Sequence, residues 1–399
     1  VDTAGVVGIS AGSKGMVIMD PNNWADDRMQ QWTFNIEREV VKDTSLRFSY
    51  IGTHGSNLEQ RMGWNSPTSA YNYITATGTN VVAGTVGTDA RRFNPNWNAT
   101  VASHVGYSNS NSFQLEANRR FSHGMSFQAF YVYNHALTTT DENGSSSGGG
   151  GATAPEGKTI IGNPNLTLDQ RLRMVYYNSA AIPPHQIKWN GLYELPFGKG
   201  KKWGGSVSKA VDQVIGGWQV AFIGYWQSGN WMGVSNYLWS DPNLSSDQRL
   251  QLNYAGKTQL LYFKGDFTPT SATGVDQSRL QALVPVDRAQ RAIHPVGTAF
   301  DNRVDMKLAD GTPVKTSIGD NFTWNPKNFL LGPRSWGQDL SVFKYFSFSE
   351  RVKLRLTGDF FNAFNHPNDP NPNGTTGLVD LSQQKNDPRI IQISGRLEW

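Results

Sequence analysis

The last ten residues, Ile390-Ile391-Gln392-Ile393-Ser394-Gly395-Arg396-Leu397-Glu398-Trp399, decide how the rest of the chain is read. Ile391, Ile393, Gly395, Leu397 and Trp399 fall on one face, and Gln392, Ser394, Arg396 and Glu398 on the other. Alternation of period two marks a β-strand whose faces meet different surroundings. Just upstream, Val352, Leu354, Leu356, Gly358 and Phe360 alternate with Lys353, Arg355, Thr357 and Asp359. The short Phe348-Ser349-Glu350 turn joins that run to a partner around 338–346, which makes a hairpin.

The pattern recurs toward the N-terminus. Trp32, Phe34 and Ile36 are followed after Val41-Lys42-Asp43 by Leu46, Phe48 and Tyr50. Phe113, Leu115 and Ala117 turn at Ser122-His123-Gly124 into Met125, Phe127, Ala129, Tyr131 and Tyr133. Ile187, Trp189, Gly191, Tyr193 and Leu195 precede a Gly/Lys-rich connection and then Trp218, Val220, Phe222, Gly224 and Trp226. Strands are therefore predicted at 31–39, 44–53, 111–121, 124–137, 185–195, 217–229, 337–347, 350–364 and 389–399. Their lengths are close to the ~9–11 residues that a tilted strand needs to cross a bilayer.

The connections alternate in length. Short ones lie at 41–44, 122–124 and 348–349 with a medium one at 196–216, and long ones at about 53–110, 139–184, 229–337 and 365–388. Short turns on one side and long loops on the other are the layout of a transmembrane antiparallel β-barrel, with the short side periplasmic and the long side extracellular. The fold class expected is thus all-β, a partial barrel. Tyr131, Tyr133, Tyr193, Trp218, Trp226 and Trp399 stand toward strand ends, where rings settle at a membrane interface. The same rings would also suit the core of a soluble β-protein, but strand-end placement and loop asymmetry speak against it.

Composition agrees. Of 399 residues 38% are apolar and 17% charged, with 41 Gly and no Cys, the charged share lying below the usual ~25%. A net charge of +4 without a long basic block is too dilute for nucleic acid. The absence of Cys removes disulfides, thiolate catalysis and Cys-ligated zinc. No run of ~18 apolar residues forms a membrane helix, a criterion blind to barrels. Val1-Asp2-Thr3-Ala4-Gly5 lacks a signal-peptide layout. Nine strands leave two bare edges, costly in lipid, and an odd count departs from the even barrels of bacteria. The chain is therefore expected to be the C-terminal part of a larger barrel.

At this point the residues carry a resemblance. Pro21-Asn22, Gln30-Gln31-Trp32-Thr33-Phe34-Asn35-Ile36-Glu37-Arg38-Glu39 and Ser49-Tyr50-Ile51-Gly52-Thr53-His54-Gly55 resemble a block of Oar-like TonB-dependent receptors. So do Asn118-Arg119-Arg120-Phe121-Ser122-His123-Gly124, Tyr193-Glu194-Leu195-Pro196-Phe197-Gly198-Lys199-Gly200, and Gly216-Gly217-Trp218-Gln219 with Gln227-Ser228-Gly229. Asp359-Phe360-Phe361-Asn362-Ala363-Phe364-Asn365-His366-Pro367-Asn368 is similar to the family's penultimate-strand signature. The resemblance implies an outer-membrane barrel of a Gram-negative-type bacterium that catches a scarce nutrient outside and imports it with energy passed through TonB. Neither plug nor TonB box is recognisable here. The implied partners are outer-membrane lipid, the missing N-terminal strands and plug, the TonB complex reached through that plug, the outer-membrane assembly machinery and an unidentified nutrient. Trp399 resembles the terminal aromatic of the assembly signal. No cofactor is implied. A passive porin-like channel and a surface binding or adhesion barrel are the alternatives.

Candidate ligand-binding rings in the outer loops are Trp64, Trp97, Tyr107, Trp231, Trp239, Trp324 and Trp336, able to stack on sugars or grip a peptide or chelate. Polar positions expected to line the lumen are Arg47, Glu116, Arg120, Lys188, Glu194, Lys353, Arg355, Asp359 and Arg396. Their mixed sign names no cargo. Asp369, Asn371, Asn373 and Asp380 match a calcium-loop spacing except for Asp in the final place, although an Asn/Pro/Gly-rich turn explains the run as well. There is no H-E-x-x-H, and no enzyme is expected.

Overall fold

A computed structural model describes residues 15–63, 74, 77–79, 98–139, 176–233, 237–239, 241–295, 303–317, 329–349 and 351–399. In chain order the elements begin with β1 (Gly15–Met19), β2 (Arg28–Val41), β3 (Thr44–Gly63), β4 (Asn98–Ser122) and β5 (Met125–Thr138). There follow β6 (Tyr177–Asn178), β7 (His185–Glu194), α1 (Lys209–Ile215), β8 (Trp218–Gln227), β9 (Trp231–Met232) and β10 (Tyr237–Trp239). Next come β11 (Gln251–Tyr254), β12 (Lys257–Leu261), α2 (Gln277–Leu283), β13 (Ile293–Pro295), β14 (Arg303–Lys307), β15 (Pro313–Ser317) and β16 (Leu330–Leu331). The last are β17 (Ser335–Ser347), β18 (Lys353–Phe361), β19 (Leu378–Asp380) and β20 (Ile390–Glu398).

Nine long strands form one wall in the order β2-β3-β4-β5-β7-β8-β17-β18-β20, every neighbouring pair antiparallel. These are the nine strands read from alternation. Residues directly opposed in an antiparallel pair share a face, so the register sorts the wall into two surfaces. One row runs Ile36, Phe48, Leu115, Tyr131, Ile187, Trp226, Trp336 and is apolar throughout. The adjacent row runs Glu37, Arg47, Glu116, Phe130, Lys188, Tyr225, Gly337. The apolar face is left open: Trp32, Phe34, Ile36, Phe48, Ile393 and Trp399 are all exposed. A patch of that extent does not suit water. It is the outward band of a membrane barrel.

Phe130 of β5 and Ile390 of β20 line one cavity of about 820 Å³ together with Lys188, Asn190, Ile223 and Asp339 from the polar face. A cavity reaching across six neighbouring strands lies on the concave side of a curled sheet, so the polar face is the inner one. Among the described residues β2 and β20 end the path, each with one neighbour in it, and all 14 residues of β2 are exposed.

The inner turns follow from local chemistry. Ser122 pairs with Met125 across His123 and Gly124, whose φ of 53° and 80° are both left-handed, the geometry of a two-residue type I′ hairpin that matches strand twist. Aromatic rings lie across glycines on neighbouring strands, as Trp32 over Gly52 and Trp189 over Gly224. The Trp189 Nε1 then donates to Gln338 Oε1 at 2.7 Å.

Two features differ from the alternation reading. Strands β3 and β4 run on to Gly63 and back from Asn98, so the connection expected at 53–110 starts later and ends earlier. Their extensions hold polar residues on both faces, such as Ser56, Asn109 and Ser110, and lack alternation, whereas the ladder is made by backbone groups indifferent to it. The long connections also fold together. β12, between β8 and β17, pairs with β19, between β18 and β20. The resulting outer lobe holds most of the buried apolar side chains described, with Leu252, Leu261, Leu280 and Val284 in one cluster and Phe263, Ile293 and Leu330 in another. Helix α2 is capped by Asp276, whose carboxylate accepts from Ser278 N and Arg279 N, and it turns Leu280 and Val284 into that core.

Candidate functional site

A cavity of about 710 Å³ opens where the outer lobe meets the end of the wall, a size within the ~300–1,000 Å³ of small-ligand sites. Its floor is the pair β9–β16, in which Trp231 opposes Leu331 and Met232 opposes Leu330. Gly229 and Gly332 let the two segments approach: a Cβ on Gly229 would sit 1.8 Å from the Gly332 carbonyl oxygen. One wall is Tyr262, held by its backbone N–H on Gly377 O at 2.9 Å. Gly377, with φ +70°, passes so close to Phe263 O that no side chain fits there.

The chemistry gathers around Arg249. Its guanidinium lies 3.7 Å from the centre of the Tyr262 ring, a cation–π contact that grows stronger as water is excluded. The Arg249 Nε is buried and finds no acceptor among the described residues, which is an unmet cost for a charged donor. Arg334 and Asp369 complete the polar rim, with Trp231 opposite. Burial pushes the Tyr262 phenol above its ordinary value, an effect partly offset by Arg249. Nearby, burial lowers Lys385, against the pull of Asp369. The arrangement suits a ligand with a planar or apolar portion and an anionic group.

Of the seven rings read as ligand contacts, Trp231 lies in this cavity. Tyr107 and Trp336 stand in strands rather than loops. The Tyr107 ring packs on Tyr176 at 5.1 Å and that of Trp336 on His366 at 4.5 Å. Trp239 lies in β10, paired through its backbone with Ile293. Trp64, Trp97 and Trp324 lie outside the described residues.

Except for Arg120, which lies at a register irregularity, the lumen candidates fall on the polar face by register. Arg47 pairs with Glu116, which also accepts from Gln128 Nε2 at 2.8 Å. Glu194 receives Gln219 Nε2 at 3.2 Å and Lys201 Nζ at 3.3 Å. Arg355 lies over Phe343 at 4.2 Å. Asp359 opposes Gln392, Lys353 opposes Glu398, and Arg396 Nε reaches Glu398 at 3.5 Å. Arg120 is exposed beside the first hairpin and donates its backbone N–H to Asp43 O at 2.9 Å. Trp399 is fully open, just beyond β20.

The calcium-spaced residues are taken by separate partners. Asn373 Oδ1 accepts from Thr375 N and Thr376 N, Asn371 Oδ1 from Lys385 Nζ at 2.8 Å, and Asp380 from Lys257 Nζ at 2.5 Å. Asp369 borders the cavity. Among the described residues no three His, Cys, Asp or Glu side chains are grouped to hold a metal. Sequence reading missed Arg249 and Tyr262. No local signal marks them, since their stacking depends on a lobe assembled from distant connections.

A wall with an apolar outer face, a polar concave face, tight inner turns and long outer connections defines an outer-membrane β-barrel. The chain belongs to the outer membrane beta barrel domain family, which matches residues 3–392, and its place is the outer membrane of a Gram-negative-type bacterium. That family is a membrane-barrel family and not one of enzymes. No helix among the described residues is long and apolar enough to cross a membrane, and the crossing is made by strands.

The chain is similar to the outer membrane transporter YddB from Escherichia coli, at 10% identity and a TM-score of 0.43, over 96% of this chain and 34% of that one. It is also similar to the ferripyoverdine receptor of the outer membrane of Pseudomonas aeruginosa, solved bound to ferripyoverdine, at 12% identity and a TM-score of 0.36, over 94% and 27%. The chain thus spans about a third or less of the length of these proteins. No curated protein matches it.

Proposed function

We propose that this chain is the C-terminal wall of a TonB-dependent receptor of the Oar-like type, which binds a scarce nutrient in the outer cavity and passes it into the lumen. The observation that carries the reading is half-buried Arg249, its guanidinium stacked on Tyr262 and its buried Nε unmet among the described residues, in a cavity at the mouth of the wall. An anionic group on the nutrient would meet that donor, and the apolar surfaces of Trp231 and Tyr262 would hold its body. Beneath, the lumen is lined by the mixed-sign set Arg47, Glu116, Lys188, Glu194, Arg355 and Asp359, which suits passage of a ligand already selected above.

The open edges of β2 and β20 support a larger barrel in this reading. Every unpaired backbone group in lipid costs several kcal/mol, so both edges are assigned to further strands. The plug and the TonB contact belong to that remainder.

The test is nutrient-dependent growth and labelled-nutrient uptake in cells whose only receptor is the complete barrel. Uptake should vanish on energy uncoupling and should fall at least tenfold with Arg249→Ala. Uptake that persists without energy would replace the reading with a passive channel. Binding without any uptake would replace it with a surface-binding barrel.

A further inference from the structure

We infer that the connection between β7 and β8 is a foot that rests on the periplasmic leaflet and binds the head groups of anionic phospholipid. The reason is where the connection is anchored. Lys344 of β17 opposes Trp218 of β8 on the apolar face of the wall, in line with Val342 and Val220. Its Nζ donates to the carbonyl oxygens of Gln213 at 2.6 Å and Asp212 at 3.4 Å, at the C-terminal end of α1. A cation there is favoured by the helix dipole. Trp218 Nε1 donates to Val214 O at 2.9 Å. Helix α1 is therefore held against the lipid side of the wall at its periplasmic rim, and Lys344 is only 3% exposed beneath it.

The outer surface of this foot has no protein partner among the described residues. Val214 is 68% exposed, and Val211, Phe197 and Trp203 are exposed as well. They continue the apolar band of the wall downward, and Phe197 packs on Trp203 at 5.1 Å so that the two rings form one edge. Tryptophan at that level prefers the boundary between head groups and chains. Cations surround these residues: the segment 195–217 holds Lys199, Lys201, Lys202 and Lys209 against a single acid, Asp212. Lys201 is paired with Glu194. The other three are exposed. Asp212 is turned inward, accepting from Lys199 N at 2.6 Å through Oδ1, so it braces the loop under the helix. Exposed apolar side chains flanked by lysines are the pattern of a segment lying in an anionic membrane surface.

The chain has no Cys, so a single introduced thiol carries one spin label. The complete barrel, with any Cys outside this chain changed to Ser, is reconstituted in phosphatidylethanolamine vesicles with and without phosphatidylglycerol. Labels go at Val214→Cys, at Phe48→Cys in the apolar band and at Gln383→Cys on the outer lobe. The oxygen-to-nickel-chelate accessibility ratio at Val214 should lie severalfold above that at Gln383 and below that at Phe48, and it should rise when phosphatidylglycerol is present. Combining Lys199→Gln, Lys202→Gln and Lys209→Gln should abolish that rise while the Phe48 value stays unchanged. Lys344→Met should alter the Val214 value through release of α1. A Val214 ratio equal to that at Gln383 in both lipids overturns the proposal. So does a rise that survives loss of the three lysines.

Discussion

Asn368 holds Trp336 by two hydrogen bonds, its Nδ2 donating to Trp336 O and its Oδ1 accepting from Trp336 N, both at 3.0 Å. A side-chain amide thus takes the place of a strand partner at the outer end of β17. Asn368 is 2% exposed, and its own backbone is tied to Asn386 Oδ1 and Lys385 N. The relation stitches the last outer connection to the start of the strand that follows the longest one.

Replacing Asn368 by Ala leaves a buried N–H and C=O unmet, at about 1–3 kcal/mol each. Amide hydrogen exchange at Trp336 should accelerate by at least tenfold, with the strands distant from it unchanged. Asn368→Asp, which keeps the acceptor, should show the smaller effect.

Asp266 is buried between Arg288 and Arg291, the latter donating at 2.5 Å with only 4% of its side chain exposed. Removing the acid strands a buried guanidinium, which costs about 3–5 kcal/mol. Asp266→Ala should make the outer lobe sensitive to protease, whereas the wall should still reach the membrane. Protease digestion of reconstituted protein reads both outcomes.

Gly224 leaves room for the Trp189 ring, since a Cβ there would lie 2.5 Å from the ring. Gly224→Ala should displace the indole, break its bond to Gln338 and destabilise the wall by about 1–3 kcal/mol, as overpacking does. Urea unfolding of the complete barrel in vesicles measures this, and Trp189→Phe in the same background should recover part of the loss.

Lys257 and Ser382 beside Asp380 hold its carboxyl down at about 2, below the usual 3.8. A lowered carboxyl supports the fold at pH above its unfolded value and ceases to as pH falls through the folded one. The thermal transition of the outer lobe should therefore drop between pH 4 and pH 2. Asp380→Asn should remove that component and leave the transition at pH 7 lower than in the native chain.

The nine strands and their two faces were legible because period-two alternation is local: Ile391 to Leu397 needs no knowledge of distant residues to declare an inside and an outside. The His123-Gly124 hairpin was legible for the same reason. The strand extensions to Gly63 and from Asn98 were not, because backbone ladders continue through polar residues that carry no pattern. The site was less legible still. Trp231, which lines the outer cavity, was singled out by its residue type, whereas Arg249 and Tyr262 escaped notice, and Trp336 was read as a loop ring although it stands in a strand.

By itself, then, the order of residues determined a membrane wall, its lipid and lumen faces and the side on which its long connections lie. What only the tertiary structure decided were the contacts between parts distant along the chain. Lys257 meets Asp380, Asn368 meets Trp336, and Lys344 meets the end of α1. Each joins residues more than thirty apart along the chain, and such pairings depend on how the connections pack against one another once the strands have brought their ends together.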